Sequence, residues 1–152
     1  MNMDEIDKKL LQALQENALA TAQELSEKLH LSASQIGRRR QRLEASGLIK
    51  SYTARLSSEA LGLGVQAFVE VQMATHDQAD ARAFAQMVAA RREIVSVWTL
   101  TGESDYLMRV YCESLRELHH LIDGALLPHP AVARVQSQIV MDQLKQDAPL
   151  PI

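Results

Sequence analysis

Residues 21–47, TAQELSEKLHLSASQIGRRRQRLEASG, decide how the first third of this chain is read. Thr21 followed by Glu24, and Ser32 followed by Gln35, are capping-box patterns, in which a hydroxyl and a longer polar side chain satisfy each other's free backbone amides. Behind the first, Ala22, Leu25 and Leu29 form an apolar stripe up to His30; behind the second, Ile36 and Leu43 recur at helical spacing until Gly47, a suitable C-terminal cap. The spacing predicts two helices joined by a turn of about three residues, the helix-turn-helix separation. Upstream, Asp4 suits an N-cap, and Ile6, Leu10, Ala13 and Leu14 predict a preceding helix ending at Asn17, a residue that tolerates the left-handed conformation. Downstream, LIKSYTARL (48–56) has the texture of a hairpin-like wing.

The chemistry lies on the third helix. At about 100° per residue, Ile36 and Leu43 point one way and Gln35, Arg38 and Arg42 the other. Arg39 falls on the flank; Arg40 falls near the apolar side, where its stem can pack while its guanidinium reaches water or phosphate. A run such as RRRQR is often no more than a solvated helix face. Its place on the third of three capped helices favours another role. In a helix laid in the DNA major groove, residues near the N-terminus reach base edges and later arginines engage phosphates. On that basis Ser34, Gln35 and Arg38 are assigned to bases, and Arg39, Arg42 and Lys50 to the backbone of double-stranded DNA.

A net charge of −3 conceals two halves of opposite sign. Residues 1–56 carry nine Lys or Arg against seven Asp or Glu, and residues 57–152 carry seven against twelve. Within 34–55 six basic residues face Glu44 alone, the local patch that a phosphate backbone attracts. The chain shows no basic segment followed by an apolar run and no apolar stretch near the length of a bilayer span, so a cytoplasmic location without membrane contact is expected. The single cysteine, Cys112, sits in YLMRVYC and reads as a buried thiol.

From Leu61 the texture changes to alternating strands and helices. GVQAFVEVQM (64–73) places Val65, Ala67, Val69, Val71 and Met73 on one strand face; a helix beginning at Asp77 or Asp80 carries Ala83, Phe84, Met87 and Val88 to Arg91 and Arg92. IVSVWTLT, the turn GESD, YLMRVYC, the helix SLRELHHLIDGAL and a long final strand VARVQSQIVMDQL complete a β-α-β-β-α-β order, the ferredoxin-like arrangement. The fold class expected is therefore α+β. Residues 1–56 form a winged helix-turn-helix, 57–64 a linker, and 65–152 a ferredoxin-like domain. Such a sheet has helices on one face only. Because Val95 and Val97 alternate with Ile94, Trp98 and Leu100, the second face needs a cover, and a second copy of the chain is the leading candidate.

The turn GESDY offers Gly102 for a positive φ and Asp105 as an acceptor for an amine or for neighbouring amides, although an ordinary hairpin turn accounts for both. An enzyme is the competing class, since ferredoxin-like dimers can house one. His119 and His120 diverge on their helix, His129 lies in a PHP turn, and no two-His-plus-carboxylate spacing, glycine-rich phosphate loop or nucleophile motif is present. Neither a metal nor a cofactor is expected. A winged helix that binds protein instead of DNA is the other alternative, and the arginine-rich helix argues against it.

Taken together, DEIDKKLLQAL (4–14), LSASQIGRRRQRLEASGLI (31–49), TGESDYLMRVY (101–111), IVMDQLK (139–145) and the terminal LPI resemble the Lrp/AsnC, or feast/famine, family of transcriptional regulators along essentially the whole chain. The resemblance implies a winged helix-turn-helix joined by a linking strand to a regulatory domain, and dimers that assemble further into tetramers or octamers. It also implies an effector, commonly an amino acid, bound between sheets at subunit interfaces, with Gly102 and Asp105 at the site and Ser137, Gln138 and Ile139 lining it. One departure is Arg40, where the family usually has an aliphatic residue. Another is Gln138, whose environment bears on effector choice.

Overall fold

The computed structural model describes residues 3–75 and 77–152. Three helices come first: α1 (Glu5–Glu16), α2 (Ala22–Leu29) and α3 (Ala33–Ala45). Asp4, Thr21 and Ser32 are their N-caps, and each makes a reciprocal capping box, with Asp7, Glu24 and Gln35 respectively. His30, at φ 55°, turns the chain left-handed at the end of α2, and Ser26 Oγ holds the turn by donating to the Leu31 carbonyl at 2.5 Å. Leu10, Ala13, Leu14, Ala20, Leu25, Ile36 and Leu43 make the core of this unit. Asn17 caps α1 in an extended conformation, not the left-handed one expected, because its backbone amide bonds Ala13 while its side chain accepts from the Leu19 amide.

The wing expected over 48–56 is absent. Residues 50–57 carry neither helix nor strand and take no part in the sheet. Tyr52 instead packs its ring under the Arg40 guanidinium, 4.7 Å from it.

The second half holds β1 (Val65–Met73), α4 (Gln78–Ala89), β2 (Ile94–Thr99), β3 (Tyr106–Cys112), α5 (Leu115–Leu121) and β4 (Val132–Ile139), with α5 running on into a π-helical turn over Ile122–Leu126. The sheet is antiparallel in the order β2-β3-β1-β4, so the ferredoxin-like topology is realised. Period-two alternation sends Ala67, Val69 and Val71 of β1 and Met108, Val110 and Cys112 of β3 into one core with Phe84, Val88, Leu118, Leu121 and Leu126. Burial pushes the Cys112 thiol up, as an inert core cysteine requires. The final strand is shorter than the 132–144 expected: β1 begins at Val65, so pairing ends with Ala67 opposite Ile139 and a last bond from Val140 to Gln66.

By internal contacts the chain divides into one unit of residues 1–55 with 144–152 and another of 56–143. The contacts of the tail, residues 144–152, thus lie with the first unit, whereas the sequence reading drew the second domain over 65–152. The Gln15 side-chain amide clamps the Leu150 backbone, donating at 3.2 Å and accepting at 2.6 Å. Within the second unit Phe84 is 1% exposed, with its ring 4.9 Å from Tyr106 and edge-on to His129. Phe84→Ala is expected to cost about 3–5 kcal/mol, read as a lower urea midpoint for that unit.

Candidate functional site

Helix α3 presents its arginines in unequal states. Gln35, Arg38, Arg39 and Arg42 line an open depression of about 300 Å³ on the exposed side of the helix. Arg38 is exposed and makes no ion pair or hydrogen bond among the described residues. Arg39 donates from Nη1 to Asp4 Oδ2 and Asp7 Oδ1, both at 2.7 Å, and Arg42 donates from Nη2 to Asp7 Oδ2 at 2.6 Å. Asp7 is fully buried, whereas both arginines keep part of their surface in solvent. The carboxylates thus hold these two cations to α1, an arrangement that their assignment to phosphates did not anticipate.

The remaining residues assigned to DNA lie at the edges of this depression or away from it. The Gln35 carbonyl oxygen is committed to the cap, accepting from the Ser32 amide at 3.0 Å and hydroxyl at 3.2 Å, so its amide NH2 is what remains to reach outward. Ser34 is exposed with Oγ 3.0 Å from the Ser32 hydroxyl, and Lys50 stands exposed after α3 without an ion pair among the described residues. Arg40 donates from Nε to Glu44 at 3.1 Å and to the Tyr52 hydroxyl at 3.0 Å. The position where the resemblance expects an aliphatic side chain therefore fastens the segment after α3 to the helix.

Sequence reasoning missed Asp7. It had a signal: Asp7 stands three and seven residues before Leu10 and Leu14, on the apolar stripe of α1, and a carboxylate in a core must be paired. Hydrogen bonds also contribute to the acid stability of this unit. The Asp7 backbone amide first, and then Arg39, hold the Asp4 carboxyl below its usual range, and the Thr21 amide does the same for Glu24. Groups whose pKa falls on folding stabilise the fold at neutral pH and lose that contribution as pH drops through the lowered values. The melting temperature of the first unit is expected to be flat through neutrality and to fall below about pH 5, as circular dichroism would register.

A second depression, of about 230 Å³, lies in the other unit beside the Gly102–Asp105 turn, lined by Glu70, Gln72, Leu100, Glu103, Ser104, Arg134 and Gln136. Glu70 accepts from the Ser104 hydroxyl at 2.8 Å and from Gln138 Nε2 at 3.4 Å. Gly102 has φ 124°, which disfavours any larger residue. Asp105 is tied into the sheet: its Oδ2 accepts from the Met73 amide at 2.7 Å, its own amide donates to Val71, and its carbonyl accepts from Leu100. Of the three residues assigned on β4, Gln138 lies opposite Phe68 on the open face, whereas Ser137 and Ile139 lie opposite Val69 and Ala67 on the helix side. Consecutive strand residues face opposite ways, so within one chain the side chain of Gln138 and those of Ser137 and Ile139 do not share a face. The polar alternation of Glu70 with Gln72 and of Arg134 with Gln136 was the available clue to the open face. Among the described residues no group of three His, Cys, Asp or Glu could hold a metal ion, and no helix is long and apolar enough to cross a membrane.

A capped helix-turn-helix with an arginine-lined third helix, followed by a separate ferredoxin-like unit, defines a DNA-binding transcriptional regulator of two-domain type. The AsnC-type helix-turn-helix domain model matches residues 3–44, and the Lrp/AsnC ligand binding domain model matches 66–150. The chain belongs to the Lrp/AsnC family. It is 35% identical to the glutamate uptake regulatory protein of Zymomonas mobilis, across 99% of this chain and 91% of that one, and 32% identical to the DNA-binding transcriptional activator DecR of Escherichia coli, across 99% of both. Among solved structures it is similar to the transcriptional regulator NMB0573 of Neisseria meningitidis in complex with L-Met, with TM-score 0.94 and 37% identity over 99% of this chain and 97% of that one.

Proposed function

We propose that the protein regulates transcription in the cytoplasm by binding specific duplex DNA through α3, as a homodimer or larger assembly, and that an amino acid bound beside the Gly102–Asp105 turn modulates it. The observation that carries the DNA reading is the arginine-lined depression on the exposed side of the helix after the turn. The protein acts as a regulator and not as an enzyme; its family supports this.

For the effector, the second depression holds both charges that a zwitterion needs. Arg134 suits a carboxylate, Glu70 and Glu103 suit an ammonium, and Leu100 offers apolar surface to a side chain. The L-Met complex of the Neisseria protein supports an amino acid as the ligand class. Screening the amino acids by thermal shift tests this. A ligand at a hundred times its dissociation constant stabilises the folded state by about 2.7 kcal/mol, a rise of several degrees in Tm, and Arg134→Ala is expected to abolish the response. No response to any amino acid would remove the sensor half of the proposal. DNA binding is tested separately by its salt dependence, since releasing counterions from phosphates makes affinity fall steeply as salt rises.

A further inference from the structure

Asp7 is a fully buried carboxylate beneath the face assigned to DNA. We infer that it is a positioning residue for DNA recognition: its two oxygens, with Asp4, set the direction of Arg39 and Arg42 before DNA arrives. The inference rests on the reading of α3 as the DNA-binding helix.

Arg39 turns Nη1 inward, leaving Nη2 and Nε; Arg42 turns Nη2 inward, leaving Nη1 and Nε. Both guanidinium groups still line the open depression with Arg38 and Gln35. Each therefore retains N–H donors for a phosphate or a base edge, and its planar fork has one edge fixed. A free arginine must give up rotamer freedom when it binds, and one already held gives up less. The same contacts reduce undirected attraction, because two carboxylates offset two guanidinium charges and leave Arg38 as the unpaired cation of the depression. Fixed direction together with reduced net charge favours discrimination between sequences over total affinity, since Coulomb attraction to phosphates carries no sequence information.

Asp7→Asn separates these effects. It keeps the shape and the capping acceptor, removes the charge, and places an NH2 against one of the arginines. Binding would be measured for a duplex selected by the wild-type protein from a random pool, and for poly(dI-dC). The expected result is a loss of about tenfold in affinity for the selected duplex, with affinity for poly(dI-dC) unchanged or raised, so that the specificity ratio collapses. An unchanged ratio overturns the inference, whether both affinities fall together, as a purely structural role would have it, or neither moves. Asp4→Asn, at an exposed cap that asparagine also serves, decides the matter should Asp7→Asn not fold. It is expected to lower the ratio by about two- to threefold, and no change overturns the inference. Arg38→Ala identifies a different failure: if it leaves the selected duplex bound as tightly as before, the assignment of the DNA face is at fault.

Discussion

Arg38→Ala is expected to weaken binding to a selected duplex by about 10- to 100-fold and to leave the fold untouched. The side chain is exposed and unpaired among the described residues, so its removal creates no cavity and strands no charge. It stands one helical turn beyond Gln35 on the side of α3 away from Ile36 and Leu43. Unlike Arg39 and Arg42, it is not held by a carboxylate among the described residues. A bidentate arginine on a base edge discriminates by about 1–3 kcal/mol, and a phosphate contact adds roughly one unit to the salt slope. Titration at several salt concentrations distinguishes these roles: a base contact costs the selected duplex alone, and a phosphate contact costs every duplex and flattens the slope. Unaltered binding at all salt concentrations would remove Arg38 from the interface. The double variant with Arg42→Ala is expected to bind more weakly still, although part of that loss would come from stranding Asp7.

The three capping boxes explain why the first unit was legible from its residues. Capping is local, within three positions along the chain, and Ser32 with Gln35 or Thr21 with Glu24 announces itself without tertiary context. The Asp7 contacts were not legible in the same way, because they join positions more than thirty residues apart and no local rule selects Arg39 and Arg42 over Arg38. Arg40 illustrates the same limit. Its place near the apolar side was readable, and its partner Tyr52 was hidden behind the expectation of a wing.

In the second unit the alternation in β1 and β3 gave the core directly, because a period of two fixes the inward face whatever the partner strand. The ligand face resisted for the converse reason. Glu70, Arg134 and Ser104 come from different segments and meet only through register, which pairs Glu70 with Gln136 and Gln72 with Arg134. Of the roles considered for Asp105, the one realised within the chain is that of an acceptor for a neighbouring amide, from Met73.

Trp98→Arg combined with Leu107→Arg is expected to reduce the proposed assembly to single chains and to lower operator binding by 100-fold or more. The register places Trp98 beside Leu107, and Leu107 beside Glu70, on the sheet face away from the core that holds α4 and α5. Trp98 is 45% exposed within one chain, an apolar surface that a lone subunit would present to water. A two-fold interface uses the same patch on both partners, so each substitution enters it twice. Burying an unpaired guanidinium costs several kcal/mol, enough to outweigh an interface of about 800 Å² per partner. The fold itself should persist, because arginine can extend into solvent from both positions when the partner is gone. Sedimentation would then report one chain's mass, and a single helix-turn-helix would engage one half-site instead of two. If the mass stays at that of the wild-type assembly, this face is not where the copies meet, and the exposed β2 residues require a different occupant.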